Sequence, residues 1–341
     1  MTETEFYSLN ETPPGHRSGF VAVIGQPNVG KSTLMNQLVG QKVAIVSPKP
    51  QTTRSRILGI LTRPDAQVIF VDTPGLHRPR HKLGESMVAT ATRAIPDADV
   101  VLFLVDVSVL PTDEDRMIAQ LIQKYTQAPV ILVLNKMDLL PAEKVKSHTE
   151  SYWELASHHD LLPPAPPLTP PIGGRMAGGG TLPPLVGEGR GRGWMMTIAT
   201  RGVNLDKLLG LIIGVLPEGP RYYPGGQVTD QTEREVAAEL IREQVLRYTR
   251  QEVPHAVAVV VEEFKERESG VIYVAANVFV ERDSQKGIII GRRGRMLRQI
   301  GSAARQEIER MTGGRVYLDL WVKVRKGWRR DEKALRRLGY E

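Results

Sequence analysis

Gly25-Gln26-Pro27-Asn28-Val29-Gly30-Lys31-Ser32 lies between the apolar run Phe20–Ile24 and the helical pattern Thr33–Val39, and its reading decides the fold of this chain. Strand, glycine turn and helix in that order form the context in which G-x-x-x-x-G-K-[ST] carries physical meaning. The glycines let backbone N–H groups turn inward into an anion-binding nest, and the helix that follows adds the positive end of its dipole. Lys31 would place a point charge on β- and γ-phosphates, while Ser32 would offer a hydroxyl to Mg²⁺. A glycine turn before a helix would explain the glycines but not Lys31 and Ser32. The expected phosphate site therefore runs from Gly25 through Ser32 to Thr33.

Working outward, Val68–Val71, Val100–Val105 and Val130–Leu134 are short aliphatic runs that alternate with helical patterns. This rhythm predicts an α/β fold, a P-loop NTPase G domain whose mostly parallel sheet is covered by helices. Each run ends in a polar cluster, which puts the ligand site at the carboxyl ends of the strands. After the second run, Asp72-Thr73-Pro74-Gly75 supplies a carboxylate for Mg²⁺ and a backbone N–H for a γ-phosphate, followed by Leu76. Between these motifs, Gln51-Thr52-Thr53-Arg54 reads as a switch loop over the nucleotide, with Thr53 favoured and Thr52 competing for Mg²⁺. Asn135-Lys136-Met137-Asp138 ends the strand Val130–Leu134. A carboxylate at Asp138 accepts N–H bonds from guanine N1 and N2, whereas adenine would leave it unpaired. Asn135 would reach N7 or the phosphate loop, and the Lys136 stem would cover the base.

The chain of 341 residues has room for two domains, with 41% apolar and 24% charged residues and no cysteine. That composition excludes disulfides, thiolate metal sites and Cys nucleophiles. Met1–Ser18 lacks a basic region followed by an apolar stretch, and no run of about 18 apolar residues occurs, so a cytoplasmic protein is expected. Of the net charge of +7, residues 286–341 supply more than the whole excess, with sixteen Lys/Arg against six Asp/Glu. A polyanionic partner, RNA or a membrane surface, is expected there.

Organisation follows composition. Residues 1–18 read as a flexible N-terminus and 19–216 as the G domain, interrupted by a Pro/Gly-rich insertion at 161–193 expected to be disordered. Residues 217–230 look like a linker. From 231 to 325 the pattern is helix, strand, strand, helix, helix, strand, a smaller α+β domain, and 326–341 form a basic tail with Trp328 among the charges. Gly291-Arg292-Arg293-Gly294 falls between the two consecutive helices. Such a turn lets a nucleic-acid backbone approach, with Arg292, Arg293, Arg295 and Arg298 available to phosphates and a groove for about four unstacked bases.

GQPNVGKS, QTTR, DTPG and NKMD, in this order and followed by the GRRG domain, make the chain resemble the Era-like GTPases of the TrmE–Era–EngA-type superfamily, with a C-terminal type II KH domain. The resemblance covers nearly the whole chain except the insertion. It implies GTP and GDP as ligands, Mg²⁺ as cofactor, and small-subunit ribosomal RNA near its 3′ end, within the small ribosomal subunit, as partner. It also implies a monomer, with peripheral contact to the inner face of the plasma membrane as a further expectation. One position departs. Family members carry Ser-Ala in the last guanine motif, where this chain has Ile198-Ala199, followed by Thr200; the backbone N–H of Ala199 can still serve guanine, so weakened binding is expected. Leu76 cannot orient water. In related GTPases an Asn at the position of Asn28 helps hold K⁺ between the phosphates, which implies slow, K⁺-stimulated hydrolysis by Asn28, Lys31, Thr53 and Gly75. The rival expectation is an RNA-binding assembly factor with little GTP turnover.

Overall fold

A computed structural model describes residues 12–49, 51–79, 81–159, 161, 193–250 and 253–340. Most of the expected N-terminal segment and nearly all of the 161–193 insertion lie outside the described residues. The chain divides into two compact units, one from the residues up to Val43, Arg56–Arg78 and Val88–Asp230, the other from Ala44–Ser55, Pro79–Met87 and the residues from Gln231 onward.

The first unit is built on a six-stranded sheet in the order β2-β3-β1-β4-β5-β6. Its strands are β1 (Arg17–Ile24), β2 (Ile57–Thr62), β3 (Ala66–Asp72), β4 (Val100–Asp106), β5 (Val130–Asn135) and β6 (Gly193–Met196). All pairs are parallel except β2 with β3. Strands β3 and β5 are buried along their whole length, as expected for a sheet covered on both faces. The parallel pairing brings Ile24, Asp72, Asp106 and Asn135 to one end of the sheet. Helices α1 (Lys31–Val39), α3 (Asp113–Tyr125), α4 (Val145–His158) and α5 (Leu205–Val215) belong to this unit, while α2 (Lys82–Arg93) is divided between the two. Thr112 and Asp115 close a reciprocal capping box at the start of α3.

Two boundaries differ from the sequence reading. Strand β2 has no counterpart in it, because Gly59 interrupts the apolar run; a Cβ there would lie 2.8 Å from Met35 Sδ, so close helix packing demands the glycine. The stretch 217–230, expected as a linker, is part of the first unit. Ile60 N donates to Val228 O at 2.9 Å, Leu58 N to Asp230 Oδ1 at 3.1 Å, and Gln67 Oε1 accepts from the backbone of Tyr222 and Tyr223. Beside the insertion, Leu161 is buried in the core, and the rings of Trp153 and Trp194 meet edge to face at 6.4 Å.

The second unit has α6 (Glu233–Tyr248), α7 (Val253–Ala256), β7 (Ala258–Glu266), β8 (Val271–Val280), α8 (Asp283–Ile290), α9 (Arg295–Thr312), β9 (Arg315–Val324) and α10 (Glu332–Arg337). The expected α-β-β-α-α-β order is present, with α7 and α10 added. Its sheet runs β7-β8-β9, antiparallel then parallel, leaving β9 at an edge. Alternate residues of β8 and β9 build the inner core with Ile241 and Val245 of α6 and Ile300, Ala304 and Ile308 of α9. At one end of the outer face, Ala258, Val260 and Phe279 are covered by Leu83, Met87, Trp328, Leu335, Leu338 and Tyr340. Among the described residues no helix is long and apolar enough to cross a membrane.

Candidate functional site

Glycines shape the phosphate loop by close approach. A Cβ on Gly25 would lie 2.2 Å from Leu104 O, one on Gly30 2.4 Å from Asn135 Nδ2, and one on Gly75 2.5 Å from the backbone nitrogen of Pro27. Asn28 and Gly30 adopt positive φ, +65° and +107°, which turns the chain into the N-terminus of α1. Lys31 is buried, its ammonium donating to Gly25 O at 3.1 Å and Gln26 O at 2.8 Å. Burial lowers its pKa to about 8, against the opposing pull of Asp72. Ser32 Oγ donates to Asp72 Oδ2 at 2.6 Å, so two of the three oxygens expected to serve Mg²⁺ meet at one point. Gln26 Nε2 donates to Thr112 Oγ1, Thr73 Oγ1 to Val23 O, and Leu76 N to Gly25 O. The Leu76 side chain is wholly buried in the core, so it turns away from solvent rather than into the site.

Asn135 ties three segments together at the end of β5. Its amide donates to Val29 O at 2.8 Å, and its Oδ1 accepts from Ala199 N at 3.0 Å and from Thr197 Oγ1 at 3.1 Å. Lys136, at φ +63°, pairs with Asp106 at 2.6 Å, and Asp106 is itself held by the backbone and hydroxyl of Ser108. Met137 is buried beneath, while Asp138 and Thr200 are exposed. Ile198 packs into the core and bridges to Val203. The apolar residue at the departing position is thus used inward, and a hydroxyl stands one place earlier, at Thr197.

In the second unit the GRRG turn keeps Gly291, Arg293 and Gly294 at positive φ. A Cβ on Gly291 would lie 2.7 Å from Met296 Cβ, whereas Gly294 has open space around it. Arg292, Arg293, Arg295, Arg298 and Arg305 are exposed. Beside them opens a cleft of about 430 Å³, lined by Gly294, Leu297, Arg298, Gly301, Ser302, Arg305, Leu318 and Leu320. Its floor is apolar and its rim basic, suited to bases below and phosphates above.

The switch stretch Gln51–Arg54 is part of this unit. Arg54 is buried, donating to Val257 O at 2.6 Å and Pro254 O at 3.1 Å, with Trp328 and Tyr340 within cation–π distance. Arg242 donates to Thr52 O, and Glu243 accepts from Val46 N at 2.9 Å. Thr52 Oγ1 donates to Lys49 O at 2.6 Å, and Thr53 is buried. The basic tail requires a correction: Trp328, expected among its solvated charges, is fully buried, stacks on Tyr340 and donates to Ala256 O. Its apolar bulk gains more from burial than a solvated tail would allow.

A family described as 50S ribosome-binding GTPase matches residues 20–136, and a KH domain matches 252–329. GTPase Era of Heliobacterium modesticaldum is 46% identical over 325 residues, covering 95% of this chain and 97% of that protein. The chain belongs to the Era family of GTPases. GTPase Era of a Nostoc species is 47% identical over 333 residues, 98% of this chain and 92% of that protein. A crystal structure of Era in complex with MgGDPNP and nucleotides 1506–1542 of 16S ribosomal RNA superposes with a TM-score of 0.82, at 38% identity, covering 95% of this chain and 99% of that one. A variant of Aquifex aeolicus Era bound to GDP and tetrafluoroaluminate gives the same TM-score at 37% identity, covering 95% and 99%. The Era-family fold, a G domain followed by a KH domain, accounts for both units.

Within this Era-family framework the structure brings together Gly25–Ser32, Asp72, Asn135 and Ala199. Asp106 and Thr197 were missed by the sequence reading, as were Gly301, Ser302, Leu318 and Leu320 of the cleft. Asp106 ends a buried strand, as Asp72 and Asn135 do, and that placement was a usable signal.

Proposed function

We propose that this chain hydrolyses GTP to GDP and phosphate and uses the nucleotide to time binding of small-subunit ribosomal RNA near its 3′ end, during maturation of the small ribosomal subunit. One observation carries the reading: a single chain holds both the Asn135-braced phosphate loop and the GRRG cleft. Lys31 exchanges its two loop carbonyls for the β- and γ-phosphates, and Gly75 donates its N–H to the γ-phosphate. Ser32 and Asp72 would hold Mg²⁺ through oxygens of the kind it prefers. Mg²⁺ held there would neutralise charge on the β- and γ-oxygens. Asp138 selects guanine, Lys136 covers the base, and Ala199 N, already positioned by Asn135, lies in the motif that meets O6. This brace favours a competent guanine site over an assembly factor that turns over little GTP. With no side chain at position 76 able to orient water, intrinsic hydrolysis is slow and stimulated by K⁺ through Asn28; equal turnover in K⁺ and Na⁺ buffers would refute that part.

The deciding experiment measures GTP affinity and turnover with and without a short single-stranded fragment of the 16S 3′ end, for the intact chain and one lacking residues 162–192. RNA-dependent turnover in both is the expected result. Absence of GTP binding in both would overturn the reading.

A further inference from the structure

We infer that the uncovered end of the outer sheet face in the second unit, formed by Tyr273, Tyr317 and Trp321 with Arg267, is a stacking surface for single-stranded RNA that continues from the cleft around strand β9. The inference rests on the cleft being an RNA site and extends it to a second face of the same strand.

Strand β9 serves both faces. Leu318 and Leu320 line the cleft, while Tyr317, Asp319, Trp321 and Lys323 alternate to the opposite side. Because β9 is an edge strand, a chain leaving the cleft passes its free edge to reach that side. There it meets aromatics that the fold leaves open. Tyr317 is 59% exposed and Trp321 60%, although the other end of the same face buries Trp328 and Tyr340. The rings of Tyr273 and Tyr317 stack at 5.9 Å with an interplanar angle of 22°, matched by their register across β8 and β9. Arg267 lies over both, 4.2 Å from the centre of Tyr273 and 5.9 Å from that of Tyr317. Trp321 stands four residues further along the strand, about 13 Å away.

Charge selects the occupant. Arg267, Arg315 and Lys323 are exposed around the rings. Of the acidic neighbours, Glu263 is paired with Lys265 at 3.4 Å, while Glu262, which accepts from Asn277 at 2.6 Å, and Asp319 keep their charges against three cations, a net of one positive charge. The exposed Trp321 ring and the exposed side of Tyr317, under a net positive rim that includes the Arg267 guanidinium, suit unpaired bases and their phosphates, with little dependence on sequence.

The test uses the full chain and a fluorescein-labelled 12-nucleotide RNA from the 3′ end of 16S ribosomal RNA, together with the shortest nested truncation that still binds. Trp321→Ala and Tyr317→Ala should each weaken the 12-mer about tenfold. They should leave the short RNA within about twofold, and Trp321→Phe should retain most of the 12-mer affinity. The paired change Arg292→Asp and Arg293→Asp should abolish binding of both lengths. Equal 12-mer affinity for wild type and Trp321→Ala, or equal losses on both lengths, would overturn the inference while leaving the cleft reading intact. Failure of the wild-type chain to bind any of the RNAs would instead sink the cleft reading and this one with it. Sedimentation with phosphatidylglycerol vesicles that depends on Trp321, with 12-mer binding unaffected, would assign the surface to a membrane and overturn the proposal.

Discussion

Gly25–Ser32 and Gly291–Gly294 are both glycine turns that lead into a helix, and both hold residues at positive φ: Asn28 and Gly30 in one, Gly291, Arg293 and Gly294 in the other. Their surroundings differ. The first is closed on every side, by Leu104 against Gly25, by Asn135 against Gly30 and by Pro27 against Gly75, and its one cation is buried. The second turns its arginines to solvent, and Gly294 meets nothing within 4 Å. A loop that must surround a single phosphate chain once is locked by packing. A turn that must let a polymer pass packs at Gly291 against Met296 but stays open at Gly294, and its charges stay exposed. The same backbone device therefore serves selectivity in one unit and tolerance in the other.

The largest test of this contrast is Lys31→Ala, which should lower GTP turnover at least about a hundredfold in a phosphate-release assay. RNA affinity without nucleotide should stay unchanged, and parallel loss of both would deny that the turns work independently. Next come the glycines themselves. Gly25→Ala should destabilise by about 3 kcal/mol or more through the clash with Leu104 O, whereas Gly294→Ala should cost only about 1 kcal/mol, the strain of positive φ. Denaturant melts of the two variants decide it, and similar losses would erase the distinction. pH separates the cations. Below pH 8 the Lys31 ammonium is already formed; above it, binding must draw in a proton, because the pKa of about 8 lies under the bulk pH. GTP affinity should then fall up to about tenfold per pH unit by titration calorimetry, while RNA affinity stays flat because arginine remains charged. The smallest effect is in salt: Arg292→Ala should reduce the slope of log affinity for RNA against log salt by about 0.7, and an unchanged slope would remove Arg292 from the phosphate path.

Much of this was legible from residues alone, for reasons that are local. GQPNVGKS, DTPG and NKMD each sit directly after a buried run, so strand ends and chemistry coincide within eight residues. The GRRG turn is flanked by helices of its own. What escaped notice depends on pairs far apart in the chain. Arg54 reads as part of a polar loop until Trp328, Tyr340 and the carbonyls of Pro254 and Val257 are seen around it. Trp328 reads as a tail residue for the same reason. Strand β2 was hidden because its central glycine answers to Met35 on another element, and Thr197 because its hydroxyl occupies the place of a residue expected one position later.

Leu161 and Gly193 have a practical consequence for protein engineering. The first is anchored in the core, and the second is fixed by its register with Ile131 and by the neighbouring tryptophan pair. Two pinned ends fix the sequence positions between which an insertion or deletion spares both anchors. A reporter or affinity sequence spliced between those positions keeps Leu161, the register of Gly193 with Ile131 and every residue of the Asn135 brace in the chain, so cargo can be added there without changing a residue of the described G domain.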